Sequence, residues 1–135
     1  MNKCESDEYG YFWEGFDGNV YYGFAHGSSG IALFLLYLYL ATGDERYLTA
    51  GIKALEFDLN SGHTTDEGGL TWKSHKDAPM VLPYWRYGSA GVGCSVLRYY
   101  KFTGEEKYKK PLIESSLMLI ENIRFSPRNL SGLLV

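Results

Sequence analysis

A chain of 135 residues is long enough for one hydrophobic core and too short for several domains. Its 13 Lys and Arg against 16 Asp and Glu give a net charge of −3 with no basic stripe, so there is no electrostatic case for nucleic acid. Two cysteines, Cys4 and Cys94, make no disulfide framework, and no signal-type opening is present. A cytoplasmic setting with reduced thiols is the default expectation.

In chain order, residues 1–20 read as an extended lead-in that packs Tyr11, Phe12, Trp13 and Phe16 on a neighbour. Residues 21–61 read as a helical hairpin. Between Ser29 and Thr42 apolar side chains run all round the helix, which suits burial on most sides. Its most apolar run, Ile31–Ala41, is 11 residues and too short to span a bilayer. Gly43 fits a helix stop and Asp44 an N-cap. The helix predicted over Glu45–Leu59 places Leu48, Ile52, Leu55 and Leu59 on one stripe.

Residues 62–83 change character. Thr, Gly and Asp clusters around short apolar runs predict a loop or β-ribbon insert. Residues 84–125 then repeat the hairpin. A helix over Ala90–Phe102 stops at Gly104, and another over Glu106–Arg124 turns Ile113, Leu117, Ile120 and Ile123 inward. Pro111 either starts that helix late or kinks its first turn, and Ser126-Pro127 ends it. Lys107 to Lys110, after Glu105-Glu106, read as a solvated face, and Cys94 reads as core. Residues 126–135 read as the start of a truncated third copy, so the chain is expected to be part of a larger array that self-associates through exposed hairpin faces.

The repeat is explicit. At an offset of 61, Gly27–Tyr47 and Gly88–Tyr108 share nine of 21 residues, among them Gly27/Gly88, Ser28/Ser89, Gly30/Gly91 and Gly43/Gly104. Each copy opens on a Gly-x-x-Gly helix start, but the first carries His26 where the second carries Tyr87. Chemistry is expected where the copies differ. Imidazole can take or give a proton near neutral pH, and the backbone N–H groups of a helix start can steady an oxyanion. The competing role for His26 is to fix the turn by bonding a loop carbonyl.

The stretches Gly-Phe-Ala-His26-Gly-Ser-Ser-Gly-Ile-Ala and Tyr-Trp85-Arg86-Tyr87-Gly88-Ser-Ala-Gly-Val-Gly, each followed by a Thr-Gly-Asp/Glu-Glu-Lys/Arg-Tyr turn, together resemble the lanthionine synthetase C-like family. The resemblance implies an all-α fold, an α/α toroid of about six or seven helical hairpins, of which this chain would supply about two. It implies a cyclase that adds a peptide cysteine thiol to dehydroalanine or dehydrobutyrine, giving a thioether ring in a dehydrated precursor peptide. His26 matches the family's proton donor or base, and Tyr87 is a second catalytic candidate. Trp85 and Trp72 are candidates for holding the peptide. A kinase or lyase domain, or the rest of the toroid, is an implied partner.

The sequence departs from the family at one informative place. Zinc-dependent members carry a metal-binding cysteine where this chain has Arg86, and arginine cannot ligate zinc. No cofactor and no metal ligand is therefore assigned, and the chain looks closest to the zinc-free cyclase domains of kinase–cyclase fusion synthetases. Arg86 is a candidate for binding a substrate thiolate, carboxylate or phosphate. His63 and His75, beside Asp66, Glu67 and Asp77, match no zinc spacing and read as loop residues. Two rival readings remain: a peptide-binding helical-repeat module without chemistry, and a glycosidase relative using Asp66, Glu67 or Asp77.

Overall fold

The computed structural model describes residues 3–79, 81–82 and 85–125. Strands β1 (Cys4–Ser6) and β2 (Tyr11–Trp13) form an antiparallel hairpin where an extended lead-in is predicted. Helices α1 (Ser28–Thr42) and α2 (Glu45–Asn60) make the first helical hairpin. An antiparallel sheet of β3 (His63–Thr64), β4 (Leu70–Lys73) and β5 (Val81–Leu82) follows, and then α3 (Ser89–Thr103), a 3-10 turn at Glu106–Tyr108 and α4 (Lys109–Phe125). The architecture is all-α, two helical hairpins with small sheets attached. The predicted helix end at Ser126-Pro127 and the third copy over 126–135 lie outside the described residues.

Local chemistry explains the hairpins. Gly43 and Gly104 take φ of 72° and 69°, and each N–H closes the last turn onto Tyr39 and Tyr100. That left-handed conformation is cheap only without a Cβ. Asp44 caps α2 by accepting the Arg46 N–H at 3.0 Å. Glu105, its counterpart, makes no such bond, and its helix begins with the 3-10 turn. The regular helix therefore starts late, with Pro111 inside its first turn where a missing N–H costs nothing.

Helices α1 and α3 lie side by side, with α2 packed on α1 and α4 on α3. Ala32, Leu36, Ala54, Leu55, Phe57, Val92, Val96, Tyr99 and Tyr108 fill the space between them. Two buried bonds stitch the copies together: Ser95 Oγ donates to the Ser29 carbonyl at 2.9 Å, and Tyr99 Oη to that of Ala32 at 2.7 Å. No helix among the described residues is long and apolar enough to cross a membrane.

Several expected burials are corrected. Phe34, Tyr37 and Leu40 leave one side of α1 exposed, because α2 and α3 cover only the Ala32–Leu36 side. On α4, Ile113, Leu117 and Ile120 are 54%, 39% and 48% exposed, and Ser115 and Met118 face inward at the positions of Ala54 and Phe57. The side chain of Ile123 lies outside the description. Cys94 is exposed rather than core. Phe12 stacks on Phe57 at 4.9 Å and Trp13 packs nearby, but Phe16 stands free in solvent. In the insert, predicted as a loop or β-ribbon, Leu70, Thr71 and Trp72 of β4 are buried beside α3 and α4.

Candidate active site

The loop that carries His26 runs from Gly23 into the first turn of α1, and one side chain holds both of its ends. Asp58, wholly buried on α2, accepts the Gly23 N–H at 3.0 Å, the Ser29 N–H at 2.8 Å and the Ser29 hydroxyl at 2.5 Å, all on Oδ2. Burial pushes its carboxyl up to about 7, while these three donors pull the other way. Its backbone carbonyl accepts the indole N–H of Trp72 at 2.6 Å.

The second loop, Trp85–Gly88, leads into α3 as the first leads into α1, and the two meet. The Ala25 N–H donates to the Arg86 carbonyl at 3.0 Å, and Arg86 Nη2 lies 3.0 Å from His26 Nε2. A guanidinium only donates, so Nε2 is the acceptor and the bond assigns the ring proton to Nδ1. The Tyr87 ring stacks on His26 with centroids 5.7 Å apart. Tyr21 stacks on Tyr87 at 6.2 Å and meets His75 edge-on at 5.7 Å. Asp17 accepts the Tyr21 hydroxyl at 2.6 Å and two N–H groups of Asn19. These donors, Tyr21 foremost, hold the Asp17 carboxyl down at about 2.

Gly15, Phe16, Asp17, Tyr21, His26 and Tyr87 line an open cleft of about 450 Å³. A separate cavity of about 260 Å³ beneath the β1–β2 hairpin contains none of the His26 group. Trp85 is half exposed, its ring 4.5 Å from Phe24. Trp72, expected to hold a peptide, is fully buried with its N–H committed to Asp58, so it offers a peptide no surface. Asp66 and Glu67 sit exposed in the β3–β4 turn, and Asp77 is exposed in the turn after His75.

A family model for lanthionine synthetase C-like proteins matches residues 1–131. The chain belongs to the lanthionine synthetase C-like family. Comparison with curated proteins gives no match. Where zinc-dependent members of the family place a cysteine, Arg86 turns to His26, and among the described residues no three His, Cys, Asp or Glu side chains gather. The residues described do not fit a zinc ion.

Sequence reasoning joined His26, Arg86, Tyr87 and Trp85 in one motif pair, and the structure brings His26, Arg86 and Tyr87 together. It missed Asp17, Tyr21 and Asp58 and set His75 aside. Asp58 carried a signal, a lone acid between Phe57 and Leu59 on an otherwise apolar stripe. Asp17-x-Asn19-x-Tyr21 carried a weaker one, the spacing of a side-chain-closed turn.

Proposed function

We propose that this chain carries the acid/base half of a lanthipeptide-type cyclase, in which a peptide cysteine thiol adds to a dehydroalanine or dehydrobutyrine. The observation that carries the reading is the 3.0 Å contact between Arg86 Nη2 and His26 Nε2 at the edge of an open aromatic cleft. Conjugate addition needs a base for the thiol proton, a cation for the thiolate and enolate, and a proton for the α-carbon.

His26 and Arg86 meet these needs without metal. The incoming thiol displaces the guanidinium from Nε2, at little cost because both side chains are exposed. Nε2 takes the S–H proton, and the guanidinium turns to the thiolate. Sulfur bonds to the β-carbon, the alkene electrons move to the enolate beside Arg86, and the imidazolium returns the proton to the α-carbon. No atom is left over. Tyr87, stacked on the imidazole, holds the ring plane, and Trp85 and Phe16 offer exposed aromatic surface to a dehydrated peptide.

The test is consumption of free thiol, by mass-resolved alkylation, in a peptide bearing one cysteine and one dehydroalanine. Loss of thiol with the chain, and none above background with His26→Ala, supports the cyclase. Equal rates with the chain, with His26→Ala and with no protein would leave a peptide-binding module as the better reading.

A further inference from the structure

The geometry points to Asp58 as the positioning residue that sets His26 against Arg86. The inference rests on the reading of His26 as the acid/base group, but its evidence is separate. All three donors to Asp58 Oδ2 belong to the His26 loop and the helix turn that follows it, so one carboxylate fixes where that loop leaves and where it enters α1. The same residue reaches the other side of the site through its backbone. Trp72 donates to its carbonyl, Trp72 pairs with Leu82 across β4 and β5, and Ser89 Oγ ties the start of α3 to the Leu70 carbonyl of β4 at 2.7 Å. The Arg86 loop lies between those last two anchors. Asp58 thus joins the mounts of both partners.

The repeat shows that this acid is not needed to close a hairpin. At the offset of 61, Ser29 becomes Ala90 and Asp58 becomes Leu119. The second hairpin forms without the pair, and its loop carries Tyr87 instead of histidine. Acid, hydroxyl and imidazole occur together in one copy and are absent together from the other. A buried carboxylate opposes folding unless its bonds offset the lost hydration. Its presence only under the histidine loop assigns it to that loop's geometry.

The experiment is nitrogen-15 NMR of the full chain, reading the ring nitrogens of His26 and amide exchange at Gly23 and Ser29. The wild type should show a single Nδ1–H tautomer at His26 and slow exchange at both amides. Asp58→Asn keeps an acceptor oxygen at the site and should preserve this signature. Asp58→Ala should speed both amides by about tenfold or more and mix the tautomers of His26, leaving His63 unmoved. Ser29→Ala, which strips one donor, should loosen the same signals less. A folded Asp58→Ala with an unchanged His26 signature overturns the proposal. Should that variant not fold, an unchanged signature in Ser29→Ala overturns it instead. None of these spectra depends on turnover, so an inactive chain with this pattern would sink the cyclase reading and leave the positioning role standing.

Discussion

The two hairpins are one design used twice, and their differences separate scaffold from site. Both close on a left-handed glycine, both start from a tightly packed Gly-x-x-Gly turn, and both bury a small and a large residue at matched positions, Ala54 and Phe57 against Ser115 and Met118. Only the first carries a histidine over a buried acid, and only the second places an arginine where it reaches that histidine. A feature present in both copies is explained by packing. A feature in one copy alone needs another account, and the His26–Arg86 contact supplies it.

The comparison can be broken most severely at Asp58. Asp58→Ala leaves two N–H groups and a hydroxyl without their acceptor and should cost about 3–5 kcal/mol in urea unfolding, whereas Leu119→Ala, half-buried at the matching position, should cost clearly less. Titration gives a second contrast. A carboxyl raised from 3.8 to about 7 binds its proton more tightly in the folded state, so Asp58 favours folding most below about pH 4 and that contribution fades as pH rises towards 7. The wild type should lose stability relative to Asp58→Asn across this window, by at most about 4 kcal/mol, as read from unfolding midpoints at stepped pH.

Shared features should respond alike. A methyl on Gly30 would strike the Phe24 carbonyl, and one on Gly91 the Trp85 carbonyl, so Gly30→Ala and Gly91→Ala should each cost about 1–3 kcal/mol in thermal or urea unfolding. Unequal costs would show that the two glycines do not share one packing role. The smallest contrast lies at the second helices. Asp44→Ala removes a cap bond and should cost about 1 kcal/mol, while Glu105→Ala, which removes none, should shift the urea midpoint far less.

The hairpins were legible in the sequence because stops, caps and periodicity are local signals. The observed helices depart from their predicted bounds by one residue at most ends, and by three where the 3-10 turn precedes α4. Which faces stay exposed was not legible. Helix α1 is apolar on every side, so its pattern does not say that Phe34, Tyr37 and Leu40 lack neighbours, and the periodic stripe on α4 names a face without naming its partner. Trp72 misled for a related reason: a tryptophan among turn residues suggests a surface, and only the pairing of β4 reveals its burial. At the site, repeat logic singled out His26 and Tyr87 as what the copies do not share, and the departure from the family pattern singled out Arg86. Their contact, across 60 residues, and the role of Asp58 depend on how the hairpins stack, which no short window contains.

The central claim is that His26 and Arg86 act as one unit, and a double-mutant cycle on thiol addition tests it most directly. Rates would be compared for the wild type, His26→Ala, Arg86→Ala and the double variant in the same cysteine–dehydroalanine peptide. The account predicts that the double variant is scarcely slower than His26→Ala alone, because the arginine acts on a step that the imidazole initiates. Independent, multiplying losses, or no loss in either single variant, would contradict it.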